Sequence, residues 1–142
     1  MTRFITINPR KRKVEAVSFD NIVQAIASVG LANVDHGVLA RGLGYCIYEF
    51  SLFVPPSEQH YCGLAGHLIA GPAVLYGFDQ AGETVDLRLS EIPDVTFYLG
   101  VNDVEAAIDR GEVNRPFMAV NGVELWHWPQ PAPEGMGGSV DR

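Results

Sequence analysis

The residues whose types could do chemistry gather in one short segment of the chain. His60, Cys62 and His67 lie within eight positions. Imidazole nitrogen and thiolate sulfur are ligands that zinc prefers, and three protein ligands leave a fourth position open for water in a catalytic site. The spacing, His-x-Cys-x4-His, matches neither a zinc finger nor an HExxH helix, and the chain has no CxxC pair. A metal site at these three residues is therefore one hypothesis, and a separate structural role for each side chain is the other, which the spacing favours.

The thiol of Cys62 is also a candidate nucleophile, with His60 or His67 as the base that would activate it. A catalytic cysteine needs to be a partly exposed thiolate, whereas a buried cysteine behaves as a small hydrophobic residue. Nothing in the residue pattern indicates activation, and no GxSxG elbow indicates a serine nucleophile. We therefore predict no catalytic residue. A small metal- or thiol-dependent enzyme centred on these three residues is the alternative hypothesis.

Glycines are concentrated in the same part of the chain, between residues 61 and 87. Gly63, Gly66 and Gly71 superficially suggest a loop that cradles a phosphate. No Lys-Ser/Thr pair follows them as in a P-loop, and the pattern is not the GxGxxG of a dinucleotide site. Glycines at bends and bulges are the simpler interpretation, so we predict no cofactor. A protein that sequesters a small, nucleotide-like ligand against this backbone is a weaker alternative.

The elements that would position these residues are mostly strands. Short runs of β-branched and aromatic residues, broken by Pro, Gly, Asn and Asp, predict them. The first two runs are joined by four consecutive cations at residues 10–13. We interpret these cations as a solvated turn and predict no nucleic-acid partner, because nothing basic or aromatic elsewhere supports a groove. The predicted strands are 4–7, 14–17, 33–39, 45–50, 72–76, 84–87 and 95–99.

Two helices are predicted beside the strands. The first covers residues 21–29, with Asp20 as its N-cap and Gly30 as the residue that ends it. Its apolar residues recur at helical spacing, so one stripe should face a core. The second helix is capped by Asn102 or Asp103 and runs through residue 110.

The clearest local signal lies near the C-terminus, where Asn-Gly at 121–122 separates two apolar runs. This pattern predicts a two-residue type I′ hairpin. An unbroken register from the turn pairs Phe117 with Trp126 and Arg115 with Trp128. Large aromatic side chains are usually buried, so either the same chain or a partner covers this face. We take Phe117, Trp126, Trp128 and Arg115 as a candidate interaction surface, with a homo-oligomer or another protein as its partner.

Composition limits the protein class and its partners. The chain has 142 residues, 47% of them hydrophobic and 19% charged, which is typical of a globular domain. Its net charge of −7 works against general binding to phosphate backbones. No apolar run is long enough to span a membrane, and the first residues do not resemble a secretory signal. We expect a cytoplasmic protein without a disulfide framework, since only two cysteines are present.

Two parts of the chain carry a family resemblance. One is the first predicted strand, ending at Asn8-Pro9, with its charged turn and the run VEAV at 14–17. The other is GLAGH at 63–67, leading to AGPAVLYGFDQAGE at 70–83. These runs resemble a group of small proteins from bacteria, plasmids and phages that share a domain of unknown function and a PLAG…GxAxxxGxDxxGE run. Gly63 stands where that run has proline. The resemblance covers about residues 1–87 and implies an accessory protein of a phage or mobile element, without catalytic residues.

The pattern of elements predicts one α+β domain over residues 1–128, with a mostly antiparallel sheet and two short helices packed on it. A Pro- and Gly-rich tail follows at 129–142. The function predicted from the sequence is a non-catalytic binding or protein-interaction module of the accessory type.

Overall fold

The computed structural model describes residues 1–48 and 59–127, and for residues 117–120 and 124–127 it describes the backbone. The predicted α+β class, with mostly antiparallel sheet and two helices, is confirmed. A 3-10 turn covers Leu89–Glu91. The elements are β1 (Thr2–Asn8), β2 (Lys13–Phe19), α1 (Ile22–Ser28), β3 (Val34–Ala40), β4 (Leu43–Tyr48), β5 (Tyr61–Leu64), β6 (His67–Ala70), β7 (Ala73–Phe78), β8 (Thr84–Val85), β9 (Val95–Tyr98), α2 (Val101–Asp109), β10 (Phe117–Val120) and β11 (Val123–His127).

The described strands form three sheets, and every pairing within them is antiparallel. The largest has the order β2-β1-β7-β4-β3, with β8 paired to β7. A three-stranded sheet has the order β6-β5-β9. The hairpin β10–β11 is a sheet of its own. The sequence predicted strands at all of these places except β5 and β6, and it did not predict the division into three sheets.

The first two sheets pack face to face, with one helix on each outer side. The layers are α1, the large sheet, the three-stranded sheet and α2. The core between the two sheets joins Ile5 and Leu75 to Cys62 and Ile69. A second core holds α1 against the large sheet, and a third holds α2 against the three-stranded sheet. β1 is therefore apolar on both faces, because Phe4 contacts the α1 side and Ile5 the inner side.

The N-cap of α1 is Asn21 and not the predicted Asp20. The Asn21 side chain accepts a hydrogen bond from the Gln24 backbone N–H at 3.1 Å, which satisfies one of the orphan donors of the first turn. The Asp20 backbone N–H donates to the Gln24 side chain at 2.9 Å instead. Gly30 ends the helix as predicted, with a φ of 76°.

The second helix begins earlier than predicted, at Val101 after an N-cap on Gly100. Asp103, predicted as a possible cap, accepts a hydrogen bond from the Leu99 backbone N–H at 3.0 Å. This carboxylate still lies in the first turn, where its negative charge interacts favourably with the positive end of the helix dipole.

The hairpin β5–β6 was not predicted from the sequence. Its two turn residues are Ala65 and Gly66, with φ values of 51° and 81°, as a type I′ turn requires. Alanine rarely adopts positive φ, so the dipeptide Ala-Gly carries no turn signal. The strands of this hairpin lie inside the segment that holds His60, Cys62 and His67.

Three strand glycines are covered by tyrosine rings, which explains why glycines occur inside strands as well as at bends. At each of them an added Cβ would overlap the ring. Aromatic rings that lie over strand glycines restore the packing that a missing side chain leaves open. The glycine–tyrosine pairs are Gly37 with Tyr45, Gly44 with Tyr76, and Gly63 with Tyr98.

The C-terminal hairpin is present with its predicted turn. Asn121 and Gly122 have φ values of 52° and 79°, and the first two cross-strand pairs are as predicted. A β-bulge between Met118 and Ala119 then shifts the register, so Met118 pairs with Trp126 and Phe117 with His127. The predicted pairing of Phe117 with Trp126 is wrong, because it assumed an unbroken ladder.

Candidate functional site

The three residues of the predicted metal site do not converge. Cys62 pairs with Ile69 inside the β5–β6 hairpin, and His67 pairs with Leu64 next to the turn. His60 precedes β5 and lines a cavity at the other end of the hairpin. The described residues contain no cluster of three or more His, Cys, Asp or Glu side chains that could hold a metal ion. The hypothesis of a metal site at His60, Cys62 and His67 is thus corrected.

Cys62 is also unsuited to nucleophilic catalysis. Its side chain is fully buried in the core between the two sheets, and this burial raises the pKa of its thiol to about 12. A reactive cysteine requires the opposite shift and access to solvent. The residue acts as a small apolar side chain, the structural role that the spacing favoured.

His67 lies at the exposed edge of β6, away from the thiol. Its ring centroid is 6.4 Å from that of Tyr45. Both rings line a small cavity of about 130 Å³, together with Asn114 and Pro116. The cavity is too small for most ligands, so this contact packs the segment before β10 against the body of the molecule.

A second cysteine–histidine pair exists that the sequence did not suggest. His36 and Cys46 are directly opposite on β3 and β4, and the Nδ1 of His36 lies 3.1 Å from the Sγ of Cys46. Cys46 is fully buried against α1, and burial raises the pKa of its thiol to about 11. The pair therefore holds a neutral thiol and not an activated thiolate. Ten positions separate the two residues, so only the strand register could have revealed it.

The segment after α2 is held by a tyrosine–carboxylate–guanidinium chain. The hydroxyl of Tyr98 and the guanidinium of Arg110 both donate to the carboxylate of Glu112, the second at 3.0 Å. These hydrogen bonds hold the pKa of Glu112 below its ordinary value. Burial, and then the contact with Glu112, raises the pKa of Tyr98. These hydrogen bonds fix the end of α2 to β9 and therefore to the three-stranded sheet.

A cavity lies beside the turn between β1 and β2. Its volume is about 710 Å³. Arg10 and Lys11 line it from the turn, and His60 lines it from the segment before β5. Its described lining contains no carboxylate. The remaining lining residues are Asn8, Pro9, Gln59, Gly71 and Pro72.

Local hydrogen bonds fix the turn that carries these cations. The Asn8 side chain accepts from the Lys11 backbone N–H at 3.2 Å, and the Pro9 carbonyl accepts from the Arg12 N–H at 3.3 Å. An Asn-Pro pair is a strong turn initiator. Arg12 has a φ of 54°, so the turn closes in the left-handed region. The four basic residues are exposed, as predicted for a solvated turn, and two of them also line a concave surface.

The opposite wall depends on Gly71, a residue of the glycine-rich segment. Its φ of 80° is accessible to glycine at little cost. Its N–H donates to the His60 carbonyl at 2.8 Å, which closes the base of the β5–β6 hairpin. Sequence reasoning missed that residues 10–11, 60 and 71 share one cavity. The run of cations was the available signal, but their separation from His60 in the chain hid the link.

The predicted interaction surface is described only in part. Arg115 is exposed, Phe117 and Trp126 belong to β10 and β11, and Trp128 lies outside the described residues. The Asn114 backbone N–H donates to the Gly66 carbonyl at 2.9 Å, which ties the start of this region to the β5–β6 turn. Within residues 1–48 and 59–127, β10 and β11 pair only with each other.

Comparisons with protein-family models, curated proteins and solved structures found no match. The family resemblance of residues 1–87 therefore stays a prediction. None of the helices in the described part of the chain is long and apolar enough to cross a membrane. The tail predicted at 129–142 lies outside the described residues.

Proposed function

We propose that this protein is a non-catalytic interaction module that associates with a second copy of itself through its C-terminal hairpin, β10–β11. The accessory role implied by the family resemblance is part of the same proposal. The observation that carries it is the hairpin itself: among the described strands, β10 and β11 form a two-stranded sheet without a third strand.

A two-stranded hairpin is an incomplete unit. In water such a hairpin is marginally stable at best, and further strands or a packed layer are needed to stabilise it. Neither outer edge of the hairpin pairs with another described strand, and such an edge can accept a strand from a second chain. The β5–β6 hairpin has the third strand β9 and a layer on each face, so the same chain shows what a completed hairpin requires.

The hairpin is presented to solvent at its turn. Asn121, Gly122 and Val123 are exposed, and the side chain of Val123 is 61% exposed. The hydrogen bond from the Asn114 N–H to the Gly66 carbonyl holds the other end against the body. The element is therefore anchored at its base and open at its turn, an arrangement suited to contact with a partner.

The hairpin carries little of the charge that makes two copies repel each other. The chain has a net charge of −7, so two copies repel each other over most of their surfaces. Residues 117–127 contain a single carboxylate, that of Glu124, and no Lys or Arg. Pairing of identical elements about a two-fold axis is also the commonest form of self-association. The hairpin is thus a region where two copies meet with little like-charge opposition.

The test compares two valine variants by size-exclusion chromatography with light scattering. Val123→Glu places a charge on the hairpin, and Val38→Glu places one at an equally exposed position on β3, where valine is 60% exposed. We expect Val123→Glu to convert a dimer to a monomer, because a buried unpaired charge opposes association. Val38→Glu should leave the dimer intact. Equal behaviour of the two variants, or a dimer lost only in Val38→Glu, would contradict the proposed surface.

A further inference from the structure

We propose that the cavity beside the β1–β2 turn is a binding site for a small phosphate-bearing anion of about nucleotide size. This inference concerns a different surface from the C-terminal hairpin and does not depend on self-association. It rests on the charge, the size and the construction of the cavity.

The charge of the lining is positive in a protein that is otherwise acidic. Four of the chain's ten Lys and Arg residues are consecutive at positions 10–13. Arg10 and Lys11 line the cavity, and the other described residues of that lining include no carboxylate. A guanidinium can bind two phosphate oxygens at once, and an ammonium acts as a compact point charge. These two groups together provide the electrostatic part of a phosphate site.

Neutral polar groups from a distant part of the chain complete the lining. His60 and Gln59 face Arg10 and Lys11 across the cavity. The backbone that carries them is fixed, since the His60 carbonyl accepts the Gly71 N–H at 2.8 Å and the His60 N–H donates to the Gln59 side chain at 3.1 Å. A site assembled from two fixed segments loses little conformational freedom when a ligand binds. This distinguishes it from a mobile run of cations at a turn tip.

The size of the cavity matches a small organic ligand. Ligand pockets in proteins are roughly 300–1,000 Å³, and this one is about 710 Å³. A lone phosphate would fill only part of it, so the expected ligand carries a further group beside the phosphate. The 130 Å³ cavity between Tyr45 and His67 is well below this range.

The rest of the molecule disfavours a long polyanion. Seventeen carboxylates against ten cations give the protein its net charge of −7, so a strand of nucleic acid extending beyond the cavity would meet repulsion. No Phe, Tyr or Trp ring lines the described part of the cavity, whereas stacking on such rings is a usual feature of single-strand binding. A compact anion can enter the cavity and avoid most of that negative surface.

A second, smaller cavity beside the same turn supports the choice of control residues. It has a volume of about 320 Å³ and is lined by Lys11, Lys13 and Glu15 among others. Lys13 therefore lines the smaller cavity together with a carboxylate, and neither Arg12 nor Lys13 lines the larger cavity. Two pairs of cations on the same turn thus differ in whether they line the proposed site.

The experiment is isothermal titration calorimetry with adenosine diphosphate and inorganic pyrophosphate, in low salt, on the wild-type protein and two double variants. Arg10→Gln with Lys11→Gln removes two charges from the cavity lining. Arg12→Gln with Lys13→Gln removes two charges from the same turn and leaves that lining unchanged. Both variants have the same net charge, so a difference between them reports the site and not the overall field.

We expect saturable binding of one nucleotide per chain to the wild type. The Arg10/Lys11 variant should bind about 100-fold more weakly, since each charge-assisted contact is worth roughly a factor of ten. The Arg12/Lys13 variant should remain within about threefold, as expected when only screened surface charges change. Equal weakening in both variants, or no binding of either anion to the wild type, would overturn the proposal. Binding of a twelve-nucleotide single strand in preference to adenosine diphosphate would also overturn it, in favour of a nucleic-acid surface.

Discussion

The hairpins β5–β6 and β10–β11 have the same type I′ turn but opposite surroundings. The first is enclosed: β9 extends it to three strands, the large sheet covers one face and α2 covers the other. The second pairs with no further strand in the part of the chain that the structure describes. A turn therefore specifies a hairpin but does not determine its role. That role depends on what covers the strands, and the hairpin without a third described strand is the one we propose for association.

The largest expected effect comes from filling the one glycine position inside the enclosed hairpin. A Cβ at Gly63 would lie 2.5 Å from the Tyr98 hydroxyl oxygen and 2.9 Å from a methyl carbon of Val113. Gly63→Ala should lower the free energy of unfolding by about 3 kcal/mol, the upper part of the range for overpacked cores. Chemical denaturation measures it.

Gly100→Ala is the matched control for Gly63→Ala. Gly100 has an extended backbone, with a φ of 176°, and nothing lies within 4 Å of an added Cβ. Gly100→Ala should lower the free energy of unfolding by less than about 1 kcal/mol, the usual loss for alanine at a helix N-cap. If both alanine variants lose the same stability, the β5–β6 hairpin is not as tightly enclosed as the contacts indicate.

The two turns themselves provide a smaller and opposite effect. Ala65 has a φ of 51°, whereas Asn121 occupies the equivalent turn position with a φ of 52°. Asparagine tolerates this conformation better than alanine, so Ala65→Asn should raise the free energy of unfolding by about 0.5–1 kcal/mol. The reciprocal change, Asn121→Ala, should leave global unfolding unchanged, because β10–β11 pairs with no strand of the other two described sheets. A global loss in Asn121→Ala would show that this hairpin is part of the cooperative core.

The smallest effect is a pH dependence of the stability that Glu112 contributes to the layer covering the β5–β6 hairpin. Glu112 has an ordinary pKa of 4.5, and the hydrogen bonds from Tyr98 and Arg110 lower it in the folded state. The unfolded chain therefore takes up the proton first as the pH falls, so this contribution is present above about pH 4.5 and is lost below it. The melting temperatures of wild type and Glu112→Gln should differ at pH 6 and converge towards pH 3. A difference that stays constant over this range would contradict the linkage.

The difference between the two hairpins also marks what the sequence could predict. The Asn-Gly turn was predictable because both residues favour positive φ. The Ala-Gly turn was not, because alanine adopts that conformation only when the surrounding packing requires it. The apolar runs predicted most strands, but their division into three sheets depends on long-range pairing that no local pattern encodes.

Candidate sites followed the same division between local and long-range information. His60, Cys62 and His67 are close in the sequence, yet the alternation of strand faces and the turn at 65–66 separate them. Arg10, Lys11 and His60 are far apart in the sequence, yet they line one cavity. The bulge beside Met118 likewise moved the pairing of Trp126 by one residue. The sequence pattern does not reveal a one-residue change in register, yet such a change determines which side chains share a face of the sheet.

The mass of the wild-type protein in a dilution series, measured by light scattering, tests the proposal of self-association most directly. One chain has a mass of 15.5 kDa. We predict twice that mass at high concentration and a concentration-dependent fall towards the mass of one chain on dilution, with no such dependence in Val123→Glu. A wild-type protein that has the mass of one chain at every concentration would contradict the account.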